Sequence, residues 1–301
     1  MIERFLNYVE IRTKITSTFA FLLTLAFLFY SNQPIQWKLT CVFFGAMFLF
    51  DLTTTAINNY IDTKTNGQPL QFKRGAALSI ILILLGVSAL LGLWLVVLTD
   101  IVVLLLGGLC FLCGVLYTFG PVPISRQPWG EILSGIFYGF FIPFILLYVN
   151  MPEGTYLTFQ WNLQSVMVEL QLLPLITVIM LSALPVCTTA NIMLANNICD
   201  VEKDILVKRY TLPYYLGKKT SLRLFAAIYY CTYLVVIVMT AARMLPLISL
   251  LFLITVIPVQ KNINEFFKVQ EKSKTFIVSI KNYVIIMGTI SLLVFIGGIL
   301  G

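Results

Sequence analysis

Residues 170–204 read LQLLPLITVIMLSALPVCTTANIMLANNICDVEKD, and the fold follows from this stretch. From Leu170 to Ile198 it is predominantly apolar, longer than the roughly 20 residues a helix needs to cross a bilayer. Its apolar residues do not alternate, so it does not read as a barrel strand. It ends in a polar cluster, Asn196-Asn197-Ile198-Cys199-Asp200-Val201-Glu202-Lys203-Asp204. The stretch is thus a transmembrane helix with oxygen ligands and charges at one end.

The rest of the chain extends this reading. Of 301 residues, 59% are apolar and 11% charged, with a mean hydropathy of +0.94. A soluble domain carries about 25% charged residues and cannot hide so much apolar side chain. A soluble enzyme is excluded. Apolar runs cut by Pro, Gly and charge predict nine spans at about 15–30, 39–59, 76–98, 101–118, 131–150, 170–198, 223–242, 246–260 and 282–300. They form one integral membrane domain over residues 1–301. Nothing resembles a cleaved leader, since the first span lacks a small-residue cleavage site.

The chain has no histidine, which removes His triads and His zinc sites. Cys110 and Cys113 form a CxxC without a second pair, the pattern of two packing side chains. Of the 20 Lys and Arg, 18 fall in the N-terminus and the loops 60–75, 119–130, 199–223 and 261–281; Lys38 and Arg243 lie on the other side. The net charge of +7 is therefore a topology signal and not a nucleic-acid surface. It predicts a cytoplasmic N-terminus and an external C-terminus in the plasma membrane, with 151–169 outside.

A second polar cluster, Asn58-Asn59-Tyr60-Ile61-Asp62-Thr63-Lys64-Thr65-Asn66, ends the second span. Asn58, Asp62 and Asn66, like Asn196, Asp200 and Asp204, stand at i, i+4, i+8, on one helical face. The copies lie four spans apart. This predicts two pseudo-repeated halves around a cytoplasm-facing cavity. One such cluster is ordinarily a capped helix end; two matched clusters predict a site. Hard oxygen donors suit Mg²⁺, which keeps waters and binds substrate phosphates through one or two carboxylates. Lys64, Lys73, Arg74, Lys203, Lys208, Arg209, Lys218 and Lys219 ring the motifs, which describes a diphosphate site.

At these motifs the sequence resembles the UbiA superfamily of membrane prenyltransferases, whose members carry NxxxDxxxD and a second Asp-rich motif four helices later. Tyr117-Thr118-Phe119-Gly120-Pro121-Val122-Pro123, followed by Gly130-Glu131, resembles the YTxGPxP…GE loop of the branch that prenylates 1,4-dihydroxy-2-naphthoate. Arg209-Tyr210-Thr211-Leu212-Pro213 with Leu216-Gly217 resembles that branch's KRTLPxxLG, and Glu10 to Lys14 with Ser17 its N-terminal signature. Asn66 departs from the pattern, which usually has Asp there. The family's YxxxK is also absent, since Pro121 stands four residues after Tyr117.

The resemblance implies transfer of a polyprenyl group from an allylic diphosphate to an aromatic quinone precursor, giving demethylmenaquinone, diphosphate and CO₂. It implies Mg²⁺ on Asn58, Asp62, Asn66, Asn196, Asp200 and Asp204, with Asp62, Asp200 and Asp204 catalytic. Lys64, Arg126, Lys208 and Arg209 would hold the diphosphate, Arg126 taking the role of the family's loop cation. Lys14, Asp51 and Tyr117 would meet the acceptor. Lys14 or Arg12 would hold its carboxylate, and Asp51 would touch the ring or pair with Lys14. Glycines 86, 92, 107, 108, 114, 135 and 139 allow either close helix packing or a groove for the prenyl tail. Alternative acceptors are 4-hydroxybenzoate, homogentisate or haem. A secondary transporter would place its polar breaks at the membrane midplane, whereas these lie at helix ends.

Overall fold

A computed structural model describes residues 1–64, 69–120 and 123–300. The chain is helical: α1 (Ile2–Tyr8), α2 (Ile15–Tyr30), α3 (Trp37–Asp62), α4 (Arg74–Leu98), α5 (Ile101–Leu116), α6 (Gly130–Ile136), α7 (Ile142–Asn150), α8 (Leu172–Leu206), α9 (Leu212–Ala241), α10 (Val256–Lys268) and α11 (Ile277–Leu300). Eight stretches of the described residues are long and apolar enough to cross a membrane, counting α6 with α7, and a 3-10 segment Leu247–Thr255 with α10. The ninth expected span, α5, has 16 residues, about 24 Å against a hydrocarbon core of about 30 Å. Asp100 starts it as an N-cap, accepting from the amides of Val102 at 2.8 Å and Val103 at 3.3 Å.

Several helices outrun their apolar segments. Helix α8 runs to Leu206, so the whole Asn196–Asp204 cluster is helical and the face predicted from its spacing is real. Helix α9 begins at Leu212, eleven residues before the expected span, and breaks at Gly217 (φ +72°). The 151–169 connection holds an antiparallel hairpin that its lack of Lys and Arg did not predict: β1 (Leu157–Trp161) pairs with β2 (Val166–Leu170), Phe159 opposite Val168. Asn162 turns it, its Oδ1 accepting from the amides of Gln164 and Ser165 at 2.8 Å each.

The helices form two compact units. The first comprises Met1–Thr18 and Gln36–Ile124, and the second Phe19–Ile35 and Ser125–Gly301. Each carries one Asn/Asp motif. Tyr8, Val9, Leu52, Ala56, Ile57, Ala77 and Ile81 form a core in the first unit. Leu181, Leu184, Phe225, Tyr229, Phe252, Phe266 and Tyr283 are buried in the second.

The glycines divide. A Cβ on Gly139 would sit 2.6 Å from the Pro185 carbonyl carbon, and one on Gly135 would lie 2.8 Å from the Val186 oxygen. These two, one helical turn apart, let α6 and the π-helical turn Phe137–Phe141 press onto α8. Gly114 likewise receives the Phe50 ring. Glycines 86, 92, 107 and 108 face open space.

Candidate active site

In the first unit the last turns of α3 carry Asp51, Thr55, Asn58, Asn59 and Asp62. Asp51 and Lys14 are buried, 5% and 3% exposed, and pair at 2.7 Å. The Lys14 ammonium also donates to the Asp51 carbonyl at 2.9 Å and to Thr55 Oγ1, while Ser17 Oγ donates to Asp51 Oδ2 at 2.6 Å. An ammonium has three protons, and all three meet protein acceptors here. Of the two expectations for Asp51, the structure contains the pairing with Lys14. Lys14 accordingly offers no proton to an acceptor's carboxylate. Arg12, its alternative, is exposed and lines a cleft of about 310 Å³ with Leu6, Asn7, Glu10, Ile11 and Thr13.

Asn58 accepts a hydrogen bond from Thr118 Oγ1. This ties α3 to the start of the Tyr117–Pro123 loop, where Thr118 is buried and Tyr117 half-buried. Asn59 turns the other way: its Nδ2 donates to Tyr8 O at 2.8 Å and to Glu10 Oε1 at 3.1 Å. Tyr8 Oη donates to Ala56 O at 3.0 Å, and burial, with Tyr60 adding, pushes its pKa up to about 12. Asp62 is half-buried at the last position of α3. Lys64 is exposed and lies 5.3 Å from the Tyr60 ring centre, as does the Arg74 guanidinium. Asn66 lies outside the described residues.

The second unit repeats the division of labour. Asn197, the second Asn of its pair, donates Nδ2 to Glu131 Oε1 at 2.8 Å and also receives Asn196 Nδ2 at 3.4 Å. In both motifs the second Asn therefore reaches a glutamate from outside its own helix, Glu10 in one and Glu131 in the other. Glu131 is 2% exposed, and its Oε2 has no hydrogen-bond partner among the described residues.

Arg209 was expected on the diphosphate, and it acts first as a clamp. Its Nε donates to Ser125 O at 2.9 Å, one Nη approaches Asn197 Oδ1 at 3.4 Å, and the other lies 3.8 Å from Asp204. The Tyr210 amide adds a bond to Arg126 O at 3.2 Å. The loop that starts at Ser125 is thereby held to the end of α8, and the exposed Arg126 side chain with it. Lys208 is exposed and ends α8 in the left-handed region, φ 56°, with the Arg209 amide bonded to Asp204 O at 2.9 Å.

Asp200 is nearly buried and pairs with Lys272, a residue with no part in the motif reading. Among the described residues no three His, Cys, Asp or Glu side chains group as metal ligands. Mg²⁺ needs no such cage, since one or two carboxylates with waters and phosphate oxygens complete it. The donor set fits that ion. Asn196, Asp200 and Asp204 share a face of α8, and Asp200 is a carboxylate that draws in a cation. Chemically, such an arrangement is able to hold a divalent cation and a phosphate together at a helix end.

Residues 19–280 match the model of the UbiA prenyltransferase family. Over 177 residues the chain is 31% identical to 1,4-dihydroxy-2-naphthoate octaprenyltransferase of Bacillus subtilis (strain 168). That match covers 58% of this chain and 50% of that protein, so the chain spans about half the length of that relative. Among solved structures, a digeranylgeranylglyceryl phosphate synthase superposes over 100% of this chain and 99% of its own, with TM-score 0.67 and 18% identity. The apo structure of a UbiA homolog from Aeropyrum pernix K1 covers 94% of this chain and 97% of its own, at TM-score 0.65 and 15% identity. A UbiA homolog from Archaeoglobus fulgidus bound to DMAPP and Mg²⁺ covers 96% and 99%, at 0.56 and 12%. At such identities the structures speak for the fold, an integral membrane assembly of helices. With a family model matched over most of its length, this chain belongs to the UbiA prenyltransferase family.

Proposed function

We propose that this protein transfers a polyprenyl group from an allylic polyprenyl diphosphate to 1,4-dihydroxy-2-naphthoate, giving demethylmenaquinol, the hydroquinone form of demethylmenaquinone. The observation that carries the reading is the pair of matched helix ends. Each presents Asn and Asp oxygens on one face and spends its second Asn on structure. The similarity to the Bacillus naphthoate octaprenyltransferase supports the acceptor, and the Archaeoglobus homolog bound to DMAPP and Mg²⁺ supports the donor and metal.

In this reading each motif is a place for divalent cation and donor diphosphate. Bound Mg²⁺ supplies Lewis-acid stabilisation of the charge building on the departing diphosphate. Asn58, Asp62 and Asn66 of the first motif, and Asn196, Asp200 and Asp204 of the second, are the residues that would hold the ion. The exposed Lys64, Arg126 and Lys208 add positive charge along the diphosphate, and Arg209 keeps the Arg126 loop in place. The allylic C–O bond breaks with both electrons leaving on the diphosphate oxygen. The ring carbon bearing the carboxylate attacks the allylic carbon. CO₂ then departs, its bonding pair restoring the ring. Since the Lys14 protons are taken, Arg12 binds the acceptor carboxylate, and Tyr117 packs against the ring. The carboxylate-bearing end of the site faces the cytoplasm, the side richer in Lys and Arg.

The test is an assay of purified protein with Mg²⁺, a labelled polyprenyl diphosphate and, in parallel, the naphthoate, 4-hydroxybenzoate and homogentisate. Prenylation of the naphthoate with CO₂ release is expected. Prenylation of 4-hydroxybenzoate alone would overturn the acceptor; no consumption of donor with any acceptor would overturn the activity.

A further inference from the structure

The connection between α10 and α11 enters the sequence reading only through its charge, yet one of its lysines lies on the second motif. The turn is built to present it. The amides of Lys274, Thr275 and Phe276 all bond to the Glu271 carbonyl, at 3.1, 2.8 and 3.4 Å. The Glu271 amide donates to Thr275 Oγ1 at 3.0 Å, and Lys274 pairs with the Glu271 carboxylate at 2.7 Å. Gln270 Nε2 fastens the turn to α10 through Phe267 O at 3.0 Å. Lys272 stands in this closed turn and reaches Asp200 Oδ2. Its side chain is 49% exposed and that of Asp200 13%, so the ammonium covers a largely buried carboxylate from the solvent side. Beside the pair is a cleft of about 480 Å³ lined by Cys199, Lys203, Gln270, Glu271, Lys272 and Ser273.

A nearly buried carboxylate without a counter-charge is costly, and here the counter-charge comes from a side chain that can leave. The lysine stem has four rotatable carbons, so the ammonium can swing into the cleft while the turn stays closed. We propose that Lys272 is the resident cation of Asp200 in the metal-free protein, that it competes with the divalent cation for that carboxylate, and that once displaced it binds the donor's diphosphate beside Lys203. This rests on the reading of Asp200 as a metal ligand. It makes metal and donor binding mutually supportive, because the ion that takes Asp200 releases a positive charge for the anion.

The first measurement is Mn²⁺ binding to the full-length purified protein without donor, followed by the EPR signal of the free ion. Lys272→Met is expected to tighten Mn²⁺ about three- to fivefold, the size of a half-exposed ion pair. Lys272→Arg should bind like wild type, and adding Asp200→Asn to Lys272→Met should erase the gain. Unchanged affinity in Lys272→Met, or a gain that survives Asp200→Asn, would overturn the competition. The second is steady-state kinetics: Lys272→Met should raise the donor KM more than it lowers kcat at saturating donor and Mg²⁺, with the arginine variant recovering. An unchanged donor KM would overturn the diphosphate contact. The Mn²⁺ titration needs no substrate, so an inactive wild-type protein would count against the proposed reaction and leave this result readable.

Discussion

Lys14 and Asp51 show how far a residue's type can mislead about its role. A lysine before the first span reads as a hand for an anionic substrate, and the structure spends it on a buried ion pair with Ser17 and Thr55 around it. Removing one partner strands the other, so Lys14→Met should destabilise the protein by about 3–5 kcal/mol, while the apolar pair Lys14→Met with Asp51→Leu should recover most of it. Thermal unfolding in detergent measures both. Arg12→Met should instead leave the melting temperature near wild type and raise the acceptor KM; a lowered melting temperature with unchanged KM would return the carboxylate to another cation. For the metal carboxylates, Asp62→Ala or Asp200→Ala should each cut turnover about a thousandfold or more, since each loses several kcal/mol of stabilisation of developing charge. Full activity of either variant in saturating Mg²⁺ would remove it from the site. Asn197 differs from Asn196 in the same experiment. Asn197→Ala leaves the buried Glu131 without its donor, at a cost of about 1–3 kcal/mol in stability.

At the scale of elements, the helix ends are where the proposed chemistry falls, because the helices outrun their apolar runs. The expected span 170–198 is a helix through Leu206, which keeps Asn196, Asp200 and Asp204 in one register instead of on a loop. Glycines in a span are ambiguous by sequence, since a small residue serves a groove and a tight crossing equally. Backbone contact separates them. Gly139→Ala would drive a methyl group into the α8 backbone at Pro185 and Val186, for a loss of about 1–3 kcal/mol or more. Gly107→Ala, with open space around it, should be neutral or stabilising by about 0.5–1 kcal/mol through helix propensity. Melting both variants side by side checks the contrast, and equal effects would contradict the close crossing. The hairpin at Leu157–Leu170 has a signal in the sequence: two five-residue runs with β-branched and aromatic side chains around a turn-forming Asn162.

Across the whole molecule, the charge distribution predicts orientation. A membrane-impermeant maleimide applied to intact cells should label Asn162→Cys, in the hairpin turn, and label Ser273→Cys only after the membrane is opened. The reverse pattern would invert the topology and move the motif-bearing helix ends to the outside. Length and apolarity of each run determine eight of the nine expected spans by themselves, because a bilayer acts on one segment at a time and every backbone group must be satisfied within it. The helical period likewise determines which motif residues share a face, and the resemblance carried by Tyr117–Pro123 and Arg209–Gly217 determines the family. Tertiary structure alone decided which polar group each of these residues meets. Lys14 with Asp51, Asn197 with Glu131, Arg209 with Ser125 and Lys272 with Asp200 each join residues that, except for Arg209 and its own helix end, are more than 30 positions apart. No local pattern encodes such a pairing. It arises when a desolvated charge takes the nearest partner that packing brings within reach, and that partner is chosen by the fold of the whole chain.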